Sequence, residues 1–139
     1  MPQDNADRVR SMYEAFARGD VPAVLAGMDP QIEWNEAENF IYADKNPYIG
    51  PQAILEGVFM RLGAEWATFA VVPEEILGSG DTVIAFGRYR GTFKATGGRV
   101  DAQCVHVFRF RDGKITRFQQ YTDTAQFRDA VSRSAAAQA

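Results

Sequence analysis

Residues 104–123 read Cys-Val-His-Val-Phe-Arg-Phe-Arg-Asp-Gly-Lys-Ile-Thr-Arg-Phe-Gln-Gln-Tyr-Thr-Asp, and their pattern decides the fold. Two runs with an alternating apolar period meet at Asp112-Gly113. That dipeptide is a strong hairpin signal, because the tight turn needs positive φ and glycine accepts it at little cost. A two-residue turn pairs Arg111 with Lys114. It sets His106 beside Gln119, Cys104 beside Tyr121 and Phe108 beside Arg117. One face then carries Cys104, His106, Phe108, Phe110, Ile115, Gln119, Tyr121 and Asp123, apolar at the hairpin end and polar at the other. A bulge in either strand shifts this assignment by one residue and turns Gln120 inward in place of Gln119.

Upstream of the hairpin, two further strands are expected at 65–77 and 82–94. They are separated by Gly78-Ser79-Gly80-Asp81 and followed by the break Thr96-Gly97-Gly98. A shorter strand, Gln31 to Glu36, puts Ile32, Trp34 and Glu36 on one face. The remaining elements are helical. Val9, Met12, Tyr13 and Phe16 recur at helical spacing over 4–18, with Asp4 as cap. Val21 to Met28 forms a short helix with Pro22 in its first turn. Gly50-Pro51 opens a third helix, running to about Leu62, with Ile54, Val58, Phe59 and Leu62 as its apolar stripe. Residues 37–49 form an aromatic-rich loop, 123–133 a terminal helix, and Ser134 to Ala139 a frayed tail. Helices followed by an antiparallel meander predict an α+β fold. Three N-terminal helices pack on a strongly curved antiparallel sheet, leaving a half-apolar pocket inside.

The totals narrow the function. A chain of 139 residues falls within the usual size of one domain, so 1–139 is read as a single unit. A net charge of −3 and a pI near 5.1 offer nothing to a phosphate backbone, which argues against a nucleic-acid partner. No apolar run approaches a membrane span, and the polar, acidic start carries no secretory signal. The lone Cys104 fits a reducing compartment, so the expected location is cytoplasmic.

Titratable groups on faces expected to point inward are the candidates for chemistry. His106, the sole histidine, is either a hydrogen-bonded core residue or a proton donor and acceptor lining a pocket. It lacks the spaced His or Cys partner that a transition-metal site needs, so no metal is expected. Glu36 either ends a face of apolar residues, where burial would raise its pKa and suit it to acid or base work, or follows a strand that stops at Asn35 and is solvated. Asp123 is either the N-cap of the last helix, bonding near Gln126, or a general base at the pocket mouth. Tyr13 is a core tyrosine or a phenol facing substrate.

Several stretches together resemble the SnoaL-like branch of the nuclear transport factor two-like superfamily, ketosteroid isomerase-related proteins in particular. They are Met12-Tyr13-Glu14-Ala15-Phe16 with Gly19-Asp20, Ile32-Glu33-Trp34, Gly50-Pro51, Gly80-Asp81, and Asp112-Gly113-Lys114-Ile115 leading to Tyr121-Thr122-Asp123. The resemblance spans about residues 4–133. It implies a cone of bent sheet around a cavity, usually paired into a homodimer through the sheet's outer face. Tyr13 resembles the oxyanion tyrosine of the steroid isomerases and Glu36 their acidic base. His106 with Asp123 resembles the pair used by the cyclases.

Two functions follow as expectations. One is a cofactor-independent enzyme acting on a small hydrophobic carbonyl-bearing or cyclic substrate. In it Glu36, His106 or Asp123 moves the proton, and Tyr13 or Tyr121 donates to the oxyanion. Trp34, Tyr48, Phe59, Cys104, Phe108 and Gln119 are its expected substrate contacts. The alternative is a module that binds a small hydrophobic molecule without changing it.

Overall fold

The computed structural model describes residues 4–132. The first helix, α1 (Asn5–Ala17), starts where the Asp4 side chain accepts the Asp7 amide at 2.8 Å, satisfying one of the amides that a helix start leaves unpaired. Its stripe buries Val9 and Tyr13, with Met12 and Phe16 packed at the edge of the same cluster. Gly19, at φ +77°, turns the chain into α2 (Val21–Ala26), which Asp20 caps through the Ala23 amide. The second helix stops before the expected Met28, which instead begins β1 (Met28–Asn35).

The loop after β1 holds a short 3₁₀ turn (Ala43–Lys45) and a two-residue strand, β2 (Tyr48–Ile49). From Pro51 the chain is helical to Glu65. An α-turn, α3 (Pro51–Ile54), passes through a π-helical stretch (Leu55–Phe59) into α4 (Met60–Glu65). The Tyr48 ring lies against Gly57 in that stretch, where a Cβ would stand 2.2 Å from Cε1. Its hydroxyl donates to the Tyr42 carbonyl at 2.6 Å.

Four long strands follow: β3 (Trp66–Ser79), β4 (Thr82–Phe93), β5 (Arg99–Arg111) and β6 (Lys114–Thr122), before α5 (Thr124–Ser132). The sheet order is β2-β1-β6-β5-β4-β3. Every pairing is antiparallel except β1 with β6, which is parallel. The sheet is curved and unclosed. Its bend is visible where β3 shifts register just beyond Pro73, the partner of Gly87 on β4, since a Cβ on Gly87 would meet the Val72 carbonyl at 2.4 Å.

Two apolar clusters fill the space beneath. One joins α1, α2, β1 and the β5–β6 hairpin through Ile32, Trp34, Phe108 and Phe118. The other gathers Phe40, Tyr42, Trp66 and Tyr89 under Phe127 of α5. Trp34 and Phe118 are register partners on β1 and β6, and their rings stack with centroids 3.7 Å apart.

The hairpin turn forms as expected, with Asp112 at φ 51° and Gly113 at φ 76°, and Arg111 pairs with Lys114. Beyond Phe110–Ile115 the register shifts by one, because Thr116 is accommodated as a bulge and its hydroxyl donates to the Arg109 carbonyl at 3.2 Å. His106 therefore pairs with Gln120, and Phe108 with Phe118. This corrects the expected pairing: Gln120 is buried, Gln119 turns to the outer face, and Tyr121 is 56% exposed.

Candidate active site

Between α1, the 51–65 helix and the concave face of the sheet lies a cavity of about 60 Å³, counted as space open to the centre of a water molecule. One water needs roughly 10–15 Å³ by that measure, so the cavity is real but slim. Its walls are mostly aromatic: Phe16, Trp34, Phe40, Phe59, Phe69 and Phe118. The polar groups that reach it are Tyr13, Glu36, Tyr89, His106 and Gln120.

Glu36 follows directly on β1. The Asn46 side chain holds the backbone there from both sides, accepting the Glu36 amide at 3.0 Å and donating to the Glu36 carbonyl at 2.8 Å. Among the described residues the carboxyl itself accepts only the Trp34 indole N–H, at 3.3 Å. Burial in apolar surroundings pushes its pKa up to about 8, against the lowering effects of Trp34 and the more distant Arg61. At neutral pH it is largely protonated.

On the opposite wall, alternation along β4, β5 and β6 aims Tyr89, His106 and Gln120 inward. The His106 ring lies between two phenols, with Nδ1 2.6 Å from the Tyr13 hydroxyl and Nε2 2.5 Å from that of Tyr89. Burial lowers its pKa to about 3, so the imidazole is neutral. Gln120 donates to the Tyr89 oxygen at 2.8 Å and accepts the Ala37 amide at 3.0 Å. The same burial raises both tyrosines well above the usual phenol range.

Of the residues expected at the site, Tyr13, Trp34, Glu36, Phe59 and His106 meet in this cavity. Phe108 is fully buried behind it, with its ring edge-on to both Tyr13 and His106. Cys104 belongs to the second cluster, where burial raises its thiol to about 12. Tyr48 braces the π-helical stretch instead of lining the cavity. Tyr121 and Asp123 lie along a separate groove with Phe86, Arg88 and Gln103. There the Asp123 carboxylate accepts the Gln126 side-chain amide at 3.0 Å. Gln119 bonds the Gln120 carbonyl at 2.9 Å, away from the cavity.

Sequence reasoning had not singled out Tyr89 as a site residue. The signal was present in the alternation Val83, Ala85, Gly87, Tyr89 along one strand face, but using it required the register of β4 on β5. Among the described residues no cluster of three or more His, Cys, Asp or Glu side chains is placed to hold a metal ion. None of the described helices is long and apolar enough to cross a membrane.

Comparison with known proteins gives this chain its relatives. An NTF2-like protein from Burkholderia thailandensis E264 is 36% identical with a TM-score of 0.90, over 94% of this chain and 99% of that one. TerC, solved with polyporic acid, is 26% identical with a TM-score of 0.81, over 91% and 97%. A candidate SnoaL-like polyketide cyclase from Jannaschia sp. CCS1 shares the fold, at 19% identity and a TM-score of 0.79, over 94% and 98%. No curated protein matches the chain. The family model described as a SnoaL-like domain matches residues 9–118, and the chain therefore belongs to the SnoaL-like family of NTF2-like proteins.

Proposed function

We propose that the protein is a cofactor-independent enzyme of the isomerase, cyclase or hydrolase type, acting by general acid-base chemistry on a small hydrophobic carbonyl-bearing or cyclic substrate. The observation that carries this reading is Glu36, a buried carboxyl held beside an indole in a mostly aromatic cavity, its pKa pushed up by burial to about 8. A base is most effective when its pKa lies near the working pH. In its ionised fraction Glu36 removes a proton from a carbon next to the substrate carbonyl. The electron pair moves onto the carbonyl oxygen, where the Tyr13 hydroxyl stabilises the negative charge. Protonated Glu36 then returns the proton to the same or another atom. Trp34, Phe59 and Phe118 flank the substrate.

The test is turnover against a panel of hydrophobic ketones, enones and polyketide-like cyclic substrates, with Glu36→Gln as control. Activity that disappears in that variant supports the reading, and full activity in the variant removes Glu36 from the chemistry. A binding module is the second reading. It is favoured by the slimness of the cavity and by TerC, a relative co-crystallised with polyporic acid. Mass spectrometry of gently purified protein separates the two, because an intact co-purifying ligand without turnover supports binding alone.

The single domain is also read as a cytoplasmic homodimer joined through the outer face of the sheet. Phe86 and Tyr121 are 37% and 56% exposed on that face, and the buried Cys104 thiol suits a reducing compartment. Sedimentation of Phe86→Asp with Tyr121→Asp should give monomer where the parent gives dimer.

A further inference from the structure

The hydrogen bonds on the imidazole wall have a direction, and one end of the chain fixes it. The Ala37 amide can only donate, so the Gln120 side chain must present its oxygen to Ala37 and its NH₂ to Tyr89. The Tyr89 oxygen thus already accepts one bond. Two arrangements remain for the neutral imidazole between the phenols. In the first, Tyr89 donates its proton to Nε2, Nδ1–H donates to Tyr13, and the Tyr13 proton is left for the cavity. In the second every one of these bonds is reversed. The Tyr89 oxygen then accepts from both Gln120 and His106, and its own proton has no acceptor among the described residues.

The first arrangement runs every donor in the same direction, and aligned bonds polarise and strengthen one another. The second makes the buried Tyr89 oxygen a double acceptor and breaks that alignment. Tyr13 has room for a free donor. Its only hydrogen-bond partner among the described residues is His106, and it borders both the cavity and a second depression beside Arg10 and Glu75.

We infer that Gln120, acting through Tyr89, holds His106 in the tautomer protonated on Nδ1. It thereby aims the Tyr13 hydroxyl proton into the cavity, so that the site takes ligands presenting an acceptor oxygen there. Gln120, Tyr89 and His106 are positioning residues, and none of them needs to gain or lose a proton during turnover. The ligand preference deepens the acid-base reading and rests on it, whereas the tautomer stands on the hydrogen-bond geometry alone.

Because His106 is the sole histidine, protein labelled with ¹⁵N only in histidine reports one imidazole. The expected spectrum, between pH 5 and 8, has Nδ1 protonated and Nε2 bare. A spectrum with Nε2 protonated, with both tautomers equally populated, or with an imidazolium overturns the inference. In Gln120→Met the Tyr89 oxygen is released to accept from Nε2–H, and that tautomer should rise from a minor species to half or more. An unchanged tautomer in folded Gln120→Met removes Gln120 from the argument. Neither readout depends on turnover. Failure of Glu36→Gln to lose activity would sink the catalytic reading while leaving the tautomer result intact, and the reverse holds equally.

Discussion

The two polar walls of the cavity are buried to a similar degree and have opposite characters. On one side Glu36 accepts a single long bond from Trp34, and the rest of its carboxyl has no hydrogen-bond partner among the described residues. On the other side both nitrogens of His106 are occupied, and the chain of partners ends on a backbone amide. Burial neutralises both groups, one by raising a pKa and the other by lowering it. What distinguishes them is hydrogen-bond saturation. A saturated buried group holds structure, whereas an unsaturated one is available to a substrate.

The largest expected effect tests that division directly. Glu36→Gln keeps the shape of the side chain but removes the base, so turnover should fall by about 10²–10⁴-fold with little loss of folding stability. His106→Leu should do the reverse. It leaves two buried phenols without their shared partner and should cost about 1–3 kcal/mol in chemical denaturation, with a smaller fall in turnover exerted through Tyr13. If the two variants exchange these outcomes, His106 is the reactive group and the comparison breaks.

The pH dependence of stability separates the walls more finely. Unfolded, the Glu36 carboxyl loses its proton near 4.5, while the folded protein retains it to about 8. Across that window the native state binds the extra proton, so stability falls as pH rises. His106 acts with the opposite sign. The unfolded imidazole is protonated below about 6.5 and the native one only near 3, so stability rises with pH between those values. Where the windows overlap, from 4.5 to 6.5, the slopes cancel and a broad maximum should result. Thermal melts from pH 3 to 9 should show Glu36→Gln flattening the alkaline decline and His106→Leu flattening the acid one. Each effect should be on the order of a few kcal/mol across its window.

The same contrast governs what could be read from sequence. Tyr13, Trp34 and His106 were legible because their positions follow from local period, on a helix stripe or a strand face. Glu36 followed from the alternation of Ile32 and Trp34. The type of turn at Asp112-Gly113 was legible too, since two adjacent residues set it. The far half of β6 was not. Its register depends on the Thr116 bulge, which sits beside an Ile115 amide bonded to the Gly27 carbonyl, a contact between segments far apart in the chain. A single inserted residue exchanges the two faces of a strand, so Gln120 entered the cavity while Gln119 and Tyr121 left it. The parallel pairing of β1 with β6 is equally non-local, and it is what brings Trp34 onto Phe118.

The smallest expected effect concerns the residue that left the site most clearly. Asp123 is a carboxylate near the end of the same hairpin, and by chemical type alone it rivals Glu36. Its environment differs in each respect that matters. It is half-buried, its carboxylate accepts the Gln126 amide, and the Gln126 oxygen in turn accepts the Asp101 amide, tying α5 to β5. Asp123→Asn should therefore change turnover by less than about twofold and stability by no more than about 0.5 kcal/mol, the range of ordinary surface substitutions. A loss of turnover comparable to that of Glu36→Gln would mean that the outer groove, not the aromatic cavity, receives the substrate. Hydrogen-bond saturation would then have failed to tell a reactive carboxyl from a structural one, because the more saturated of the two would be the one doing chemistry.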